Sequence, residues 1–124
     1  MARILIVEDD PVSADSMLEL LEIAGHHVLG IANNGFSAVK QVARKRPDLA
    51  LIDIKLGETG DGVRIALHLK DRYPVKIVFV SGYLDNHTQR RAAAADPAGF
   101  VAKPVAAEQL LKIVSIATAG AFIP

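Results

Sequence analysis

The sequence of 124 residues contains no cysteine and no tryptophan. Without cysteine, the chain has no disulfide, no thiolate metal ligand and no cysteine nucleophile, which is typical of a cytoplasmic rather than a secreted protein. Four phenylalanines and two tyrosines are its only aromatic residues, too few for the stacking platform of a single-strand nucleic-acid binder. No run approaches the about 18 apolar residues of a membrane span, and no signal-peptide core follows Met1. We therefore expect a cytoplasmic chain without a membrane segment.

Net charge is also lacking, because 14 Lys and Arg residues balance 14 Asp and Glu residues. A balanced chain does not have the basic footprint of a nucleic-acid-binding protein. Apolar residues make up 51% of the sequence, and a domain of this size buries about two thirds of the surface that its unfolded chain exposes. We expect a single domain over residues 1–124 that folds without covalent cross-links.

Two hydrophobic periodicities alternate along the chain. Short apolar runs rich in β-branched residues, typical of strands covered on both faces, occupy 4–7, 27–32, 49–52, 76–80 and 99–102. A helical pattern follows each run, and Gly25, Pro47 and Pro74 end the first three helices. This (βα)5 pattern predicts a doubly wound, flavodoxin-like α/β fold with a parallel five-stranded sheet in the order 2-1-3-4-5.

Polar residues stand where the predicted strands end, at the sheet edge where open α/β folds bind ligands. They are the acidic Glu8, Asp9, Asp10 and Asp53, the hydroxyl residue Ser81 and the lysine of Lys103-Pro104. The carboxylates come from strands one and three, between which the strand order reverses. Oxygen ligands without sulfur or imidazole favour Mg²⁺, or Mn²⁺ in its place. A lysine and a hydroxyl opposite such a metal suit a phosphoryl group.

These residues, each at the end of its strand, resemble the receiver domain of two-component response regulators, and the resemblance covers essentially the whole chain. It implies that Asp53 is the phosphoacceptor, whose carboxylate attacks a phosphohistidine to form a mixed anhydride. It also implies that Asp9 and Asp53 ligate the metal directly, that Glu8 acts through a metal-bound water, and that the backbone carbonyl of Lys55 is a further ligand. The alternative is that Asp53 only begins a loop and has no chemical role. The other matching residues at the strand ends disfavour it.

The resemblance also assigns the residues around the phosphoryl group. It implies that Lys103 pairs with the phosphoryl oxygens, that Ser81 offers them its hydroxyl, and that the bond preceding Pro104 is cis. Phe100 matches an aromatic position that couples to this hydroxyl, although a plain core position is an equal alternative. Asp10 falls one place past the acidic pair and stands ahead of a proline, so it is better explained as a helix N-cap.

The sequence departs from the usual receiver pattern on both sides of the site. In the glycine-containing loop from Gly57 to Gly62, Gly57 stands where a proline is usual and Asp61-Gly62 comes one residue late. Phe79-Val-Ser-Gly-Tyr83 matches in part the atypical Phe-Ala-Thr-Gly-x-Tyr subclass, with serine in place of threonine and the tyrosine one place early. Lys55 and Tyr83 flank the path of a water that attacks the phosphoryl group. We expect slow hydrolysis, unless both are simply exposed side chains.

Two helical stretches near the end of the chain have opposite compositions. Apart from Pro97, residues 85–98 include no apolar side chain larger than alanine, and short helices owe most of their stability to packing. We predict that 85–98 is the least stable element and the one that phosphorylation changes most. In the last helix, about 106–119, apolar residues point to more than one face: Leu110, Leu111, Ile113, Val114 and Ile116. They either fill a deep groove under the tail 121–124 or form a partner or homodimer surface with strand five.

We interpret the chain as a single-domain response regulator, a phosphorylation-controlled protein-binding switch rather than an enzyme. The resemblance implies a histidine kinase or histidine phosphotransfer protein as phosphodonor, and a downstream protein that binds strand five, the last helix and the 85–98 segment. A small Mg²⁺-dependent phosphohydrolase is one alternative, but Lys55 stands where its second carboxylate is needed. The other alternative is a scaffold that works without phosphorylation. A scaffold would be expected to have lost some of the acidic pocket, whereas every pocket position holds a residue that can perform its role.

Overall fold

The structure of the chain is a computed structural model that describes residues 1–58, 60–82 and 85–119. Its strands are β1 (Arg3–Val7), β2 (His27–Ala32), β3 (Leu49–Asp53), β4 (Lys55–Leu56), β5 (Gly60–Asp61), β6 (Lys76–Ser81) and β7 (Gly99–Ala102). Its helices are α1 (Pro11–Ile23), α2 (Gly35–Arg44), α3 (Gly62–Arg72), α4 (Asn86–Ala93) and α5 (Ala107–Ala117). In these described ranges, no helix is long and apolar enough to cross a membrane.

Five strands form one parallel sheet in the order β2-β1-β3-β6-β7. These are the five predicted strands, so the doubly wound α/β fold with the order 2-1-3-4-5 is confirmed. β1 lies between β2 and β3, and the strand order therefore reverses between β1 and β3, as predicted. In the register Val7 pairs with Ile52, and Asp53 pairs with Val80. The carboxyl ends of β1, β3 and β6 consequently open side by side.

Helices cover both faces of the sheet. Alternate residues of β1 divide between two apolar clusters, with Leu5 and Val7 on one face and Ile4 and Ile6 on the other. The first cluster includes side chains of α2, α3 and α4, and the second includes side chains of α1 and α5. All five residues of β3 are buried, as expected of a central strand that is covered on both sides.

Asp and Asn residues begin four of the five helices that the described ranges contain. Asp10, Asn34, Asp61 and Asp85 each accept a hydrogen bond from a backbone N–H group two or three residues later. For α1 this bond comes from the N–H of Val12, at 3.3 Å. The prediction that Asp10 is an N-cap is therefore confirmed, and its side chain is turned to the helix.

The segment after β3 is more regular than the predicted loop. β4 and β5 pair antiparallel, with Lys55 opposite Asp61 and Leu56 opposite Gly60. Leu56 is only 5% exposed, and the hairpin leads directly into α3 at Gly62. Strands of two residues are too short to show a hydrophobic period, which is why the sequence predicts an irregular loop here.

Candidate functional site

The predicted site residues meet at the carboxyl edge of the sheet. Asp53 is the last residue of β3 and Ser81 the last of β6, Glu8 and Asp9 follow β1, and Lys103 follows β7. Glu8, Asp53 and Ser81 are at most 5% exposed, whereas Asp9 is open to solvent. Beside them lies a cavity of about 380 Å³, lined by Asp53, Ile54, Lys55, Ser81, Gly82, Thr88 and Lys103.

Lys103 joins the carboxylates that β1 and β3 supply. Its Nζ donates to Oε1 of Glu8 at 2.6 Å and to Oδ2 of Asp53 at 2.9 Å. The Glu8 side chain is fully buried and that of Asp53 is 7% exposed, so water screens neither ion pair strongly. Burial by itself lowers the pKa of Lys103, but the hydrogen bonds to Glu8 and Asp53 outweigh it and the pKa is raised. Lys103 therefore remains positively charged at neutral pH.

Three carboxylates form an acidic cluster around this lysine. One oxygen of each of Glu8, Asp9 and Asp53 lies within 4.8 Å of the other two. Burial raises the pKa of Glu8, and the adjacent Asp53 raises it further, against the lowering effect of Lys103. With all groups ionised, three negative charges against one positive charge leave two in excess. Because carboxylates this close repel one another, a divalent cation would stabilise the cluster.

The donor set fits a hard divalent cation. Glu8, Asp9 and Asp53 offer only oxygen ligands, and the exposed Asp9 leaves the cluster open to water. Mg²⁺ is typically held by one or two carboxylates, keeps several waters and leaves room for phosphate oxygens. The cluster can therefore hold such an ion. The roles of Glu8 through water and of the Lys55 carbonyl as a ligand stay predictions.

The backbone around Asp53 holds its side chain in place. Oδ1 of Asp53 accepts a hydrogen bond from the N–H of Lys55 at 3.1 Å, while Oδ2 faces Lys103. Gly62 begins α3 so close to Asp53 that a Cβ atom there would overlap the Asp53 carbonyl group. Only glycine fits at this position. From the sequence, Gly62 was noted only as a displaced glycine at the junction of loop and helix, and its contact with Asp53 was not predicted.

β6 and β7 connect Ser81 with Lys103 and Phe100. The N–H of Lys103 donates to the carbonyl oxygen of Ser81 at 2.9 Å, and the Lys103–Pro104 bond is cis, as the resemblance implies. Phe100 pairs with Phe79 across the two strands, with ring centroids 5.9 Å apart. Phe100 is half-buried and packs against the apolar core, so its core role is observed and its switch role stays a prediction.

An ion pair that was not predicted from the sequence ties α4 to the hairpin. Nη2 of Arg91 lies 2.6 Å from Oδ2 of Asp61. The other oxygen of Asp61 accepts the N–H of Val63 at 3.0 Å, so one carboxylate both caps α3 and binds α4. Asp61 stands opposite Lys55 in the hairpin, and the ion pair therefore connects α4 to the segment that follows Asp53.

Two of the sequence predictions concern residues that the structure does not describe. Tyr83 and the tail 121–124 lie outside the described residues. Of the pair invoked for slow hydrolysis, Lys55 is described and its side chain is exposed. Among the described residues, no atom lies within 4 Å of the place where a Cβ atom of Gly82 would be.

Comparisons with known proteins agree on one family. A family model described as the response regulator receiver domain matches residues 4–115. Among curated relatives, the phyllosphere-induced regulator PhyR of Methylorubrum extorquens is 32% identical over 114 residues, which are 91% of this chain and 42% of the relative. The transcriptional regulatory protein PdtaR of Mycobacterium tuberculosis is 26% identical over 115 residues, which are 93% of this chain and 56% of the relative.

A solved structure extends the comparison to the fold. The signal receiver domain of a modulated diguanylate cyclase from Desulfovibrio desulfuricans G20 is 38% identical and superposes with a TM-score of 0.88, covering 97% of this chain and 95% of that one. By contrast, the chain spans 42% and 56% of the lengths of the two curated relatives. The likeness to those relatives therefore extends over one part of each of them.

Proposed function

Since this chain belongs to the response regulator receiver domain family, we propose that it is a phosphorylation-controlled switch of two-component signalling. We propose that residues 1–124 form a single receiver domain in the cytoplasm. Asp53 takes the phosphoryl group from a histidine kinase or a histidine phosphotransfer protein. The observation that carries this proposal is the ammonium group of Lys103, which bridges Glu8 and Asp53 inside a cluster of three carboxylates.

In the proposed transfer, a carboxylate oxygen of Asp53 attacks the phosphorus atom of a phosphohistidine. A P–O bond forms while the P–N bond breaks, the bonding electron pair stays with the imidazole nitrogen, and a mixed anhydride results. Lys103 already donates to Asp53 and is in place to bind the phosphoryl oxygens. Mg²⁺, held by Glu8, Asp9 and Asp53, would neutralise negative charge on those oxygens.

The proposed response to phosphorylation begins at Ser81. Its hydroxyl binds the phosphoryl group, and Phe100 transmits the resulting change along β7. The backbone bond between Lys103 and Ser81 and the pairing of Phe79 with Phe100 support this route, because they join β6 and β7 next to the site.

The proposed output surface combines β7, α5 and the 85–98 segment. Ile116 on α5 is 63% exposed, and exposed apolar side chains favour a protein contact. A downstream protein, or a second copy of the chain, would bind there after phosphorylation. Sedimentation with and without phosphorylation tests whether the chain forms a homodimer. If the protein is a monomer at every concentration in both states, the homodimer is excluded.

Intact mass spectrometry after incubation with acetyl phosphate and Mg²⁺ tests the phosphoacceptor. We expect the parent protein to gain the mass of one phosphoryl group and Asp53→Asn to gain none. Asp15→Asn is a matched control, because Asp15 is an exposed carboxylate on α1; it should be labelled like the parent. Chelation of Mg²⁺ should slow the labelling strongly.

Other outcomes of this experiment would contradict the proposal. Labelling of Asp53→Asn would place the phosphoryl group on another residue. Steady hydrolysis of p-nitrophenyl phosphate without an accumulated adduct would indicate a phosphohydrolase. An absence of labelling, in a protein that binds Mg²⁺ normally, would indicate a scaffold that works without phosphorylation.

A further inference from the structure

A second cavity lies between α2 and the part of the sheet formed by β1 and β2. It encloses about 560 Å³ and is lined by Leu5, Leu29, Phe36, Ser37, Lys40, Gln41, Arg44 and Lys45. None of these residues lines the cavity at Asp53. We refer to it as the α2 groove, and the phosphorylation proposed above makes no use of it.

The floor of the α2 groove is apolar and its wall is built by hydrogen bonds. Leu5 is 2% exposed and forms the floor. Nε2 of Gln41 donates to the carbonyl oxygen of Ile31 at 3.1 Å and to Oγ of Ser37 at 3.0 Å. The Gln41 side chain also fills the space where a Cβ atom of Gly30 would lie. Because these contacts fix Gln41 against β2, the groove is formed before any ligand binds.

A large aromatic side chain stands exposed at the rim. Phe36 is 76% exposed. It is one of only four phenylalanines in the sequence. Nζ of Lys40 lies 5.3 Å from the centre of the Phe36 ring. Phe36, Lys40 and Arg44 follow one another at intervals of four residues, which places them in one row along α2.

The charge of the rim has one sign. Lys40, Arg44 and Lys45 are exposed, no carboxylate lines the groove, and none of the three forms an ion pair with any residue in the described ranges. The net charge of the chain is zero, so this excess of unpaired positive charge is confined to the rim of the groove. Such a rim attracts carboxylates and raises the rate of encounter with an acidic partner.

We propose that the α2 groove is a docking site for an acidic segment of a partner protein. An apolar side chain of that segment packs against Leu29 and Phe36, and its carboxylates lie against Lys40, Arg44 and Lys45. A protein segment fits better than a nucleic acid, since the groove has an apolar floor and Lys40 already lies against the Phe36 ring. The chain as a whole also lacks a basic footprint.

Fluorescence polarisation with defined peptides tests this site. The probe is a short fluorescein-labelled peptide of Asp and Glu around a central Leu-Leu pair; a second peptide replaces the leucines with serines, and a third replaces the acids with lysines. We expect only the first to bind well and its affinity to fall as salt rises. Backbone amide shifts on binding should map to α2, β1 and β2, and they should be unchanged in Asp53→Asn.

Charge reversal at the groove has a matched control elsewhere on the surface. The triple variant Lys40→Glu, Arg44→Glu, Lys45→Glu should weaken binding about tenfold or more, because each removes a rim charge and adds a repulsive one. Its control is Lys76→Glu, Arg90→Glu, Lys112→Glu, which changes the net charge equally at exposed positions. The affinity of the control variant for the acidic peptide should fall by less than about twofold, because only the long-range effect of its net charge acts on the peptide. Phe36→Ala should weaken binding several-fold.

Three results would overturn the proposal. Equal loss of binding in the two triple variants would show a response to net charge alone. Amide shifts confined to residues outside α2, β1 and β2 would place the peptide elsewhere. Tighter binding of a single-stranded oligonucleotide than of the acidic peptide, lost in the groove variant, would make the groove a nucleic-acid site. Because none of these measurements uses phosphorylation, they are independent of the test at Asp53.

Discussion

The helices α4 and α5 lie on opposite faces of the sheet and are held by different forces. α5 buries Leu110, Val114 and Ala117, and these side chains join the cluster that includes α1. α4 spans eight residues and buries only Ala92. Full burial of a leucine contributes about 1.5–3 kcal/mol, so α5 is fixed mainly by apolar packing in a way that α4 is not.

Polar contacts hold α4 instead. Asp85 accepts the N–H of Thr88 at 2.7 Å, and the side chains of the Arg91–Asp61 ion pair are 40% and 30% exposed. Exposed ion pairs contribute about 0–1 kcal/mol and caps about 1 kcal/mol. α4 also supplies Thr88 to the cavity at Asp53. α4, which borders the site, is therefore the helix that a change at the site can move at low cost.

The largest expected effect is the loss of apolar packing on α5. Leu110→Ala should lower the free energy of unfolding by about 2–5 kcal/mol, because it leaves a cavity in the core. Urea denaturation measures this value. Ile116→Ala, on the exposed face of the same helix, should change it by about 0.5 kcal/mol or less. Equal effects of the two substitutions would mean that α5 is not fixed by packing.

Amide hydrogen exchange compares the two helices directly. Without phosphorylation, protection in α4 should be about tenfold or more below that in α5, since elements with few buried apolar contacts open locally. Phosphorylation should change exchange in 85–98 more than in α5. Uniformly slow exchange across 85–98 in the unphosphorylated protein would show that polar contacts fix α4 as firmly as packing fixes α5.

Removal of the ion pair should loosen α4 without much effect on the whole domain. Arg91→Gln should speed amide exchange in α4 several-fold and lower the free energy of unfolding by about 1 kcal/mol or less. Arg90→Gln removes a neighbouring exposed arginine and is the control. In a double-mutant cycle with Asp61→Asn, the two effects should be non-additive; additivity would show that the pair does not anchor α4.

The smallest expected effect is a loosening of α4 in acid. The hydrogen bond from the N–H of Thr88 lowers the pKa of Asp85 below its ordinary value of 3.8. Because the pKa of Asp85 is lower in the folded state than in the unfolded state, ionised Asp85 stabilises the fold at pH values above 3.8. This stabilisation is lost as the pH falls through the folded-state pKa. The protection of α4 amides, measured relative to an unstructured peptide at the same pH, should therefore decrease below pH 3.8. Asp85→Asn, which caps without titrating, should reduce this pH dependence.

Composition alone predicted the contrast between the helices. The absence of large apolar residues from 85–98 indicated a weakly packed helix, and the apolar positions of α5 indicated an anchored one. The sequence did not predict the Arg91–Asp61 ion pair, because its partners are 30 positions apart in the chain and are brought together only by the packing of α4 beside the hairpin. The hairpin itself was missed because its strands are too short for a period to be visible.

Most of the candidate site could be predicted, and for a definite reason. Glu8, Asp53, Ser81 and Lys103 stand at strand ends, and a parallel sheet brings strand ends to one edge. The periodicity of the strands therefore located these residues. It gave no indication of Gly62, whose role depends on how closely α3 approaches the Asp53 carbonyl group.

The order of elements, the parallel sheet and the identity of the groups at its carboxyl edge could be predicted from the sequence, because they follow from local periodicity and chain connectivity. Two other features became visible only in the folded chain: Lys103 bridges two carboxylates, and α2 places three cations around an apolar groove. Such features depend on distances of a few ångströms between residues far apart in the chain. A hydrogen bond or a close ion pair is lost when its two groups move apart by a few ångströms. Their formation therefore depends on how the helices and strands pack, which the sequence pattern does not show.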